Sequence, residues 1–223
     1  MDATFISIVA GRTFPIYHKW IENGLHYAEI RGTGFFINDK GYFLSVQHVF
    51  SDGYSTSKFL FGGIIPYNSC PFKDIEEIYS DASRDIYLGR VLNCSLQPIR
   101  FRNLKMNIGE DAFAIGYPNV SLTIGKDGNF EIANIKQTVI KTKIEKYRKI
   151  QPVNEPLYTG YSFNDNLLPG ISGGPCFDSN GYVFGVAAMS FQKPNEQTGE
   201  IIKHGFGIDI FTIKDVIAKA FTS

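Results

Sequence analysis

Three short segments carry the residue types needed to attack a carbonyl carbon. Pro169-Gly170-Ile171-Ser172-Gly173-Gly174-Pro175 surrounds one serine with glycines. A hydroxyl nucleophile has to be accessible and close to N–H donors that meet the developing negative charge, and flanking glycines let the backbone approach closely. The expected donors are the amides of Gly170 and Ser172. The plainer alternative is a glycine-rich turn whose serine only bonds the backbone. Ser45-Val46-Gln47-His48-Val49 supplies an imidazole, which exchanges a proton near neutral pH and is the base that a weakly acidic hydroxyl needs. His18, His26 and His204 have no comparable surroundings and read as ordinary histidines. Ser83-Arg84-Asp85-Ile86-Tyr87-Leu88 puts a carboxylate at the head of an apolar strand, where it can be buried and still reach an imidazole N–H. Asp85 is therefore the expected orienting acid, with Asp81 as the alternative.

The elements that must position these groups are mostly strands. Gly34-Phe35-Phe36-Ile37 and Tyr42-Phe43-Leu44-Ser45-Val46 flank a turn at Asn38-Asp39-Lys40-Gly41, and His48 follows the second run. The same grammar returns in Pro175-Cys176-Phe177, a turn at Asp178-Ser179-Asn180-Gly181, and Tyr182-Val183-Phe184-Gly185-Val186. Ser172 precedes this hairpin. Two similar halves with a cleft between them would bring the flanking residues together. Ile140, Thr142 and Ile144 alternate with Lys141, Lys143 and Glu145, so the basic run from Lys136 to Lys149 reads as the solvated face of a strand, not as a nucleic-acid surface. Near the end, Ile213, Val216, Ile217 and Ala220 share one face of a helix spanning Phe211 to Phe221, as for a helix docked on a barrel.

Composition narrows the function classes. With 43% hydrophobic and 20% charged residues among 223, the chain can bury a real core as one unit. Lys+Arg and Asp+Glu both number 22, so no global field draws the protein to nucleic acid or to an acidic membrane. Cys70, Cys94 and Cys176 form no CxxC pair and fit neither a disulfide framework nor a zinc site, which points to a reducing, cytoplasmic setting. The first ten residues lack the basic stretch of a signal peptide, and no apolar run approaches the ~18 residues of a membrane helix.

The three segments occur in the order His, Asp, Ser, the chain order of the chymotrypsin-type triad. The resemblance to trypsin-like serine proteases, in particular the HtrA-like branch, is carried by Gly34 through Val49, Asp85-Ile86-Tyr87-Leu88, Ala114-Ile115-Gly116-Tyr117-Pro118, Gly170 through Pro175, and Gly205-Phe206-Gly207-Ile208-Asp209-Ile210. Ala114 to Pro118 is similar to a turn that opens the family's second barrel. The resemblance implies a mainly β protein: two six-stranded antiparallel β-barrels of the chymotrypsin-like fold, about 1–105 and 106–223 of a single peptidase domain, with a C-terminal α-helix and no PDZ module.

It further implies a serine endopeptidase that needs no metal or cofactor. Ser172 would be nucleophile, His48 base and Asp85 orienting acid, with a protein or peptide as substrate and neither nucleic acid nor membrane as partner. The specificity pocket would be walled by Val186, Ala187, Ala188 and Met189 with Asn166 near its base, and would take small or medium apolar side chains. Two departures stand out: Val46-Gln47 replaces the usual Ala-Ala before the histidine, and Ile171 stands where the family has Asp or Asn. Ile8-Val9-Ala10-Gly11 resembles the terminus exposed by zymogen cleavage, but an ammonium buried without a charged partner is costly and Ile171 offers none. Ile8 and Val9 are thus expected in an N-terminal strand of the first barrel. The competing reading is a pseudoprotease that binds peptides or proteins without cutting them.

Overall fold

The computed structural model describes residues 3–51, 60–64, 72–94, 97–124, 130–151, 156–194 and 201–222. Alternating apolar and polar residues close two barrels, because a sheet with one apolar face buries it fully when it curls onto itself. The first comprises β1 (Thr13–Glu22), β2 (Leu25–Phe36), β3 (Tyr42–Ser45), β4 (Leu60–Ile64), β5 (Phe72–Asp81) and β6 (Ile86–Val91) in the order β1-β2-β3-β6-β5-β4, with β4 pairing back onto β1. The second comprises β7 (Asp111–Ile124), β8 (Phe130–Ile150), β9 (Tyr158–Phe163), β10 (Pro175–Phe177), β11 (Val183–Pro194) and β12 (Ile201–Asp209) in the order β10-β11-β12-β9-β8-β7, closed by β10 on β7. Both barrels are antiparallel, as the chymotrypsin-like fold requires.

Aromatic rings fill both interiors. Phe14 packs on Phe36 and edge-on to Phe43, with centroids 4.8 and 5.1 Å apart. In the second barrel Tyr161 meets Phe184 edge-on at 5.3 Å. The basic run lies in β8, where Lys141 and Lys143 are exposed and both pair with Asp111 while Thr142 and Ile144 are buried.

The two hairpin turns share their chemistry. Asn38 Oδ1 accepts the N–H groups of Lys40 and Tyr42, and Asp178 Oδ1 accepts those of Asn180 and Tyr182. Such side-chain acceptors let a turn leave the ladder without orphaning its amides.

Three expectations are corrected. Residues Ala3–Ala10 form a helix, α1, and not a strand of the first barrel. The barrel leaves no slot for one, since β1 already pairs with β2 on one side and β4 on the other. Val9 is buried in the core, and the helix ends where Gly11 and Arg12 donate N–H groups to Ser7 and Val9 while the Arg12 guanidinium takes the Ile8 carbonyl. The Gly116-Tyr117-Pro118 segment is no turn but lies within β7, the first strand of the second barrel, at a register shift between Gly116 and Asn119. At the other end, a 3-10 turn over Ile210–Ile213 precedes α2 (Lys214–Thr222); Ile213 of the turn and Val216 and Ala220 of the helix are buried, Ile217 only in part. The Asn38 amide donates to the Ala220 carbonyl at 2.8 Å, and Arg84 pairs with Asp215, so this helix docks on the first barrel. Among the described residues, no helix is long and apolar enough to cross a membrane.

Candidate active site

His48 sits in a 3-10 turn, Gln47–Val49, just past β3. Its backbone N–H donates to Asp85 Oδ1 at 2.9 Å, and its ring Nδ1 lies 2.8 Å from Oδ2. A carboxylate only accepts, so Nδ1 carries the proton of this bond, and Nε2 is the nitrogen that bears the lone pair when the imidazole is neutral. Asp85 is 1% exposed and has φ +53°, a left-handed conformation that Asp tolerates better than most residues. That kink just before β6 turns the carboxylate inward to the turn holding His48. The imidazole side chain is 41% exposed and open to a ligand.

Asp81, the alternative acid, faces elsewhere. It binds Ser83 and Arg84, and Arg84 reaches on to Asp215. Burial pushes the Asp81 carboxyl up, but hydrogen bonds from Ser83 and Arg84 outweigh it and hold the group down at about 2. Hydrogen bonds to Asp215 first, and to Asp81 and Tyr79, raise the Arg84 guanidinium against burial.

The serine loop is held from the opposite barrel. Thr33 of β2 donates its N–H to the Ser172 carbonyl at 2.8 Å and its hydroxyl to the Gly170 carbonyl at 2.7 Å, while Ser45 Oγ donates to the Thr33 carbonyl. A Cβ on Gly32 would strike both Val49, the neighbour of His48, and the Ser172 carbonyl oxygen 2.7 Å away. This close approach brings the serine and histidine segments to one place. Gly173, at φ +85°, has room for no side chain, because a Cβ would run into Ser45 Oγ and the Thr33 carbonyl. Ile171 is fully buried in the second barrel's core beside Leu167 and Phe163. In the loop, the N–H groups of Ile171, Gly173 and Gly174 donate to Leu168, Ala187 and Ile171. Those of Gly170 and Ser172 have no hydrogen-bond acceptor among the described residues.

Ser172 Oγ donates to the Ala188 carbonyl at 3.2 Å. Ala188 thus meets the serine through its backbone, while Val186 and Ala187 are buried in the core. The pocket beside Ser172, a cavity of about 310 Å³, begins one residue later: Asn166, Leu167, Leu168 and Pro169 face Met189 to Gln192, with Lys203 across β12. A register shift between Ala187 and Met189 separates the buried stretch from the lining one. Lys203 and Gln192 are cross-strand partners on the face that also carries Ser190, so the pocket holds a cation that the apolar expectation did not include.

The other histidines lie apart. His18 is buried, stacked on Trp20, and His204 is buried with Nδ1 3.0 Å from the Phe163 carbonyl; the His26 side chain lies outside the described residues. Cys176 is buried and burial pushes its thiol far up, Cys94 is also unpaired, and Cys70 lies outside the described residues. One contact escaped the sequence: the Tyr158 hydroxyl donates to Asp85 Oδ2 at 3.2 Å across 73 residues.

The fold is shared with solved proteases. The Rv3671c protease from M. tuberculosis in its active form is 19% identical, with a TM-score of 0.65 over 96% of this chain and 83% of that one. The HtrA-type protease AlgW with tripeptide is 18% identical, with a TM-score of 0.71 over 97% of this chain, which spans 62% of AlgW. No curated protein matches the sequence. Residues 32–186, which include His48, Asp85 and Ser172, match the trypsin-like peptidase domain, and the chain belongs to that family.

Proposed function

We propose that the protein is a serine endopeptidase working through an acyl-enzyme. Ser172 turns from the Ala188 carbonyl toward His48, whose Nε2 takes the hydroxyl proton as Oγ bonds the peptide carbonyl carbon. The oxyanion is met by the N–H groups of Gly170 and Ser172, the C–N bond breaks as His48 protonates the departing amine, and water repeats the sequence to free the acid. The observation that carries this reading is the double hold of Asp85 on His48, through backbone N–H and Nδ1, beside a serine loop with two uncommitted N–H groups.

AlgW, with its tripeptide, supports a peptide as the ligand class. The pocket suits a side chain with an apolar stem against Leu167 and Met189 and an acidic end toward Lys203. No new N-terminus is needed for activity: Ile171 supplies no charge to receive one, and Arg12 anchors the end of α1. Unpaired Cys94 and Cys176 support a reducing compartment.

A fluorophosphonate probe tests the reading. Labelling of the wild type that is lost in Ser172→Ala is expected. Peptide binding with no labelling would favour the pseudoprotease.

A further inference from the structure

The Asp85 carboxylate accepts three hydrogen bonds, and one comes from the other barrel. His48 supplies two, its backbone N–H to Oδ1 and Nδ1–H to Oδ2; Tyr158, the first residue of β9, supplies the third to Oδ2. The tyrosine is 3% exposed and the aspartate 1%, so neither group exchanges its partner freely for water. Tyr158 is itself fixed: its backbone is in register with Ile150 of β8, and its ring lies edge-on to Phe206 of β12. Held by His48 alone, the carboxylate could swing with the histidine turn. Held also by Tyr158, it is referred to the frame of the barrel that carries the nucleophile.

We propose that Tyr158 is a positioning residue of the active site, fixing the Asp85 carboxylate so that His48 presents Nε2 to Ser172 only when the two barrels are docked. This rests on the reading of those three residues as a hydrolytic triad.

The proposal has a geometric and an electrostatic consequence. Without the hydroxyl the carboxylate is less constrained, so turnover falls while substrate binding is spared. It also loses a donor that shares its charge, and therefore draws harder on a protonated imidazole, which persists to higher pH. The neighbouring ionic groups are engaged elsewhere: Arg84 with Asp81 and Asp215, Arg31 with Glu29, and Arg148 of β8 with Glu145.

Tyr158→Phe is the test, as it removes one oxygen and keeps the ring. Expected are a kcat about tenfold lower, a KM within about twofold, and an acid limb of kcat/KM moved upward by a few tenths of a pH unit. In an Asp85→Asn background the same substitution should cost nothing further. A readout independent of turnover is the NMR titration of the His48 ring, assigned by its loss in His48→Gln. Its midpoint should rise in Tyr158→Phe and fall when 3-fluorotyrosine, a stronger donor that keeps the hydroxyl, occupies position 158. An unmoved midpoint in both variants, or full additivity in the double variant, overturns the role of Tyr158. Absence of hydrolysis by a wild type whose His48 titration responds as described would instead overturn the protease reading and leave the Tyr158 contact standing.

Discussion

The two hairpins flanking the cleft use one turn and differ in what the turn residue does with its remaining atoms. In the first barrel Asn38 folds the turn with Oδ1 and sends Nδ2 to the Ala220 carbonyl of α2. In the second barrel Asp178 folds the turn with Oδ1 and gives Oδ2 to Arg102. Asn and Asp are interchangeable as turn formers, but a carbonyl across the gap demands a donor and a guanidinium demands an anion. The local need fixes the residue pair, and the distant partner chooses between them. The proposed function divides in the same way, with His48 delivered beyond one hairpin and Ser172 ahead of the other.

The comparison breaks most visibly at the reacting groups. On the proposed reading, Ser172→Ala in one half or His48→Ala in the other should each lower kcat by about 10⁶, and Asp85→Asn by about 10⁴, because a triad acts as a unit. Asp81→Asn should leave peptide turnover nearly intact; an equal loss there would displace Asp85 from its role. The turns come next. Asn38→Asp sets a carboxylate against the Ala220 carbonyl and should cost about 2–3 kcal/mol in urea unfolding. Asp178→Asn should cost only about 1 kcal/mol, since Arg102 retains Glu110 at 3.2 Å. Equal losses would mean that the tethers are incidental.

Specificity probes the second barrel alone. Lys203→Glu should move the preference before the scissile bond from acidic toward basic side chains by about tenfold, read from a peptide library. The smallest effect lies in carboxylates of the two halves. Asp81, in the first, titrates at about 2 against an ordinary 3.8, so the stability it lends is complete above the ordinary value and is lost as pH falls toward 2. Urea midpoints at pH 5, 3 and 2 should fall less steeply in Asp81→Asn. Asp111, in the second, is lowered by Lys143 and Lys141 on an open surface, so about 0.5 M salt should erase its contribution and leave that of Asp81 largely in place.

Much of this was legible because it is local. Turn residues between aromatic runs marked both hairpins, and the period of Ile213, Val216 and Ala220 marked the C-terminal helix. The chemistry-bearing segments were also local, each readable from a few neighbours. What escaped depends on pairing at long range. Ile8 and Val9 have strand-forming side chains, yet β4 had already taken the edge of β1, leaving the segment to dock as a helix. Val186 and Ala187 belong to the core because β11 shifts register just after them, an event with no signature in Val-Ala-Ala-Met. Tyr158 reads like any aromatic residue at the head of a strand, and only the meeting of two barrels discloses its partner.

Thr33 gives the molecule a sense of time. It grips the Gly170 carbonyl from 137 residues upstream, and the loop bearing Ser172 has its shape set by a strand made long before it. During synthesis the N-terminal half leaves the ribosome first and can begin to fold while Ser172 is still unmade. When Ser172 emerges it meets Thr33 of β2 on one side and, once β11 has followed, the Ala187 carbonyl on the other, and the loop takes its shape between the two halves. On the proposed reading a half-built chain is therefore toothless: it cannot cut its siblings on neighbouring ribosomes before the second half has folded.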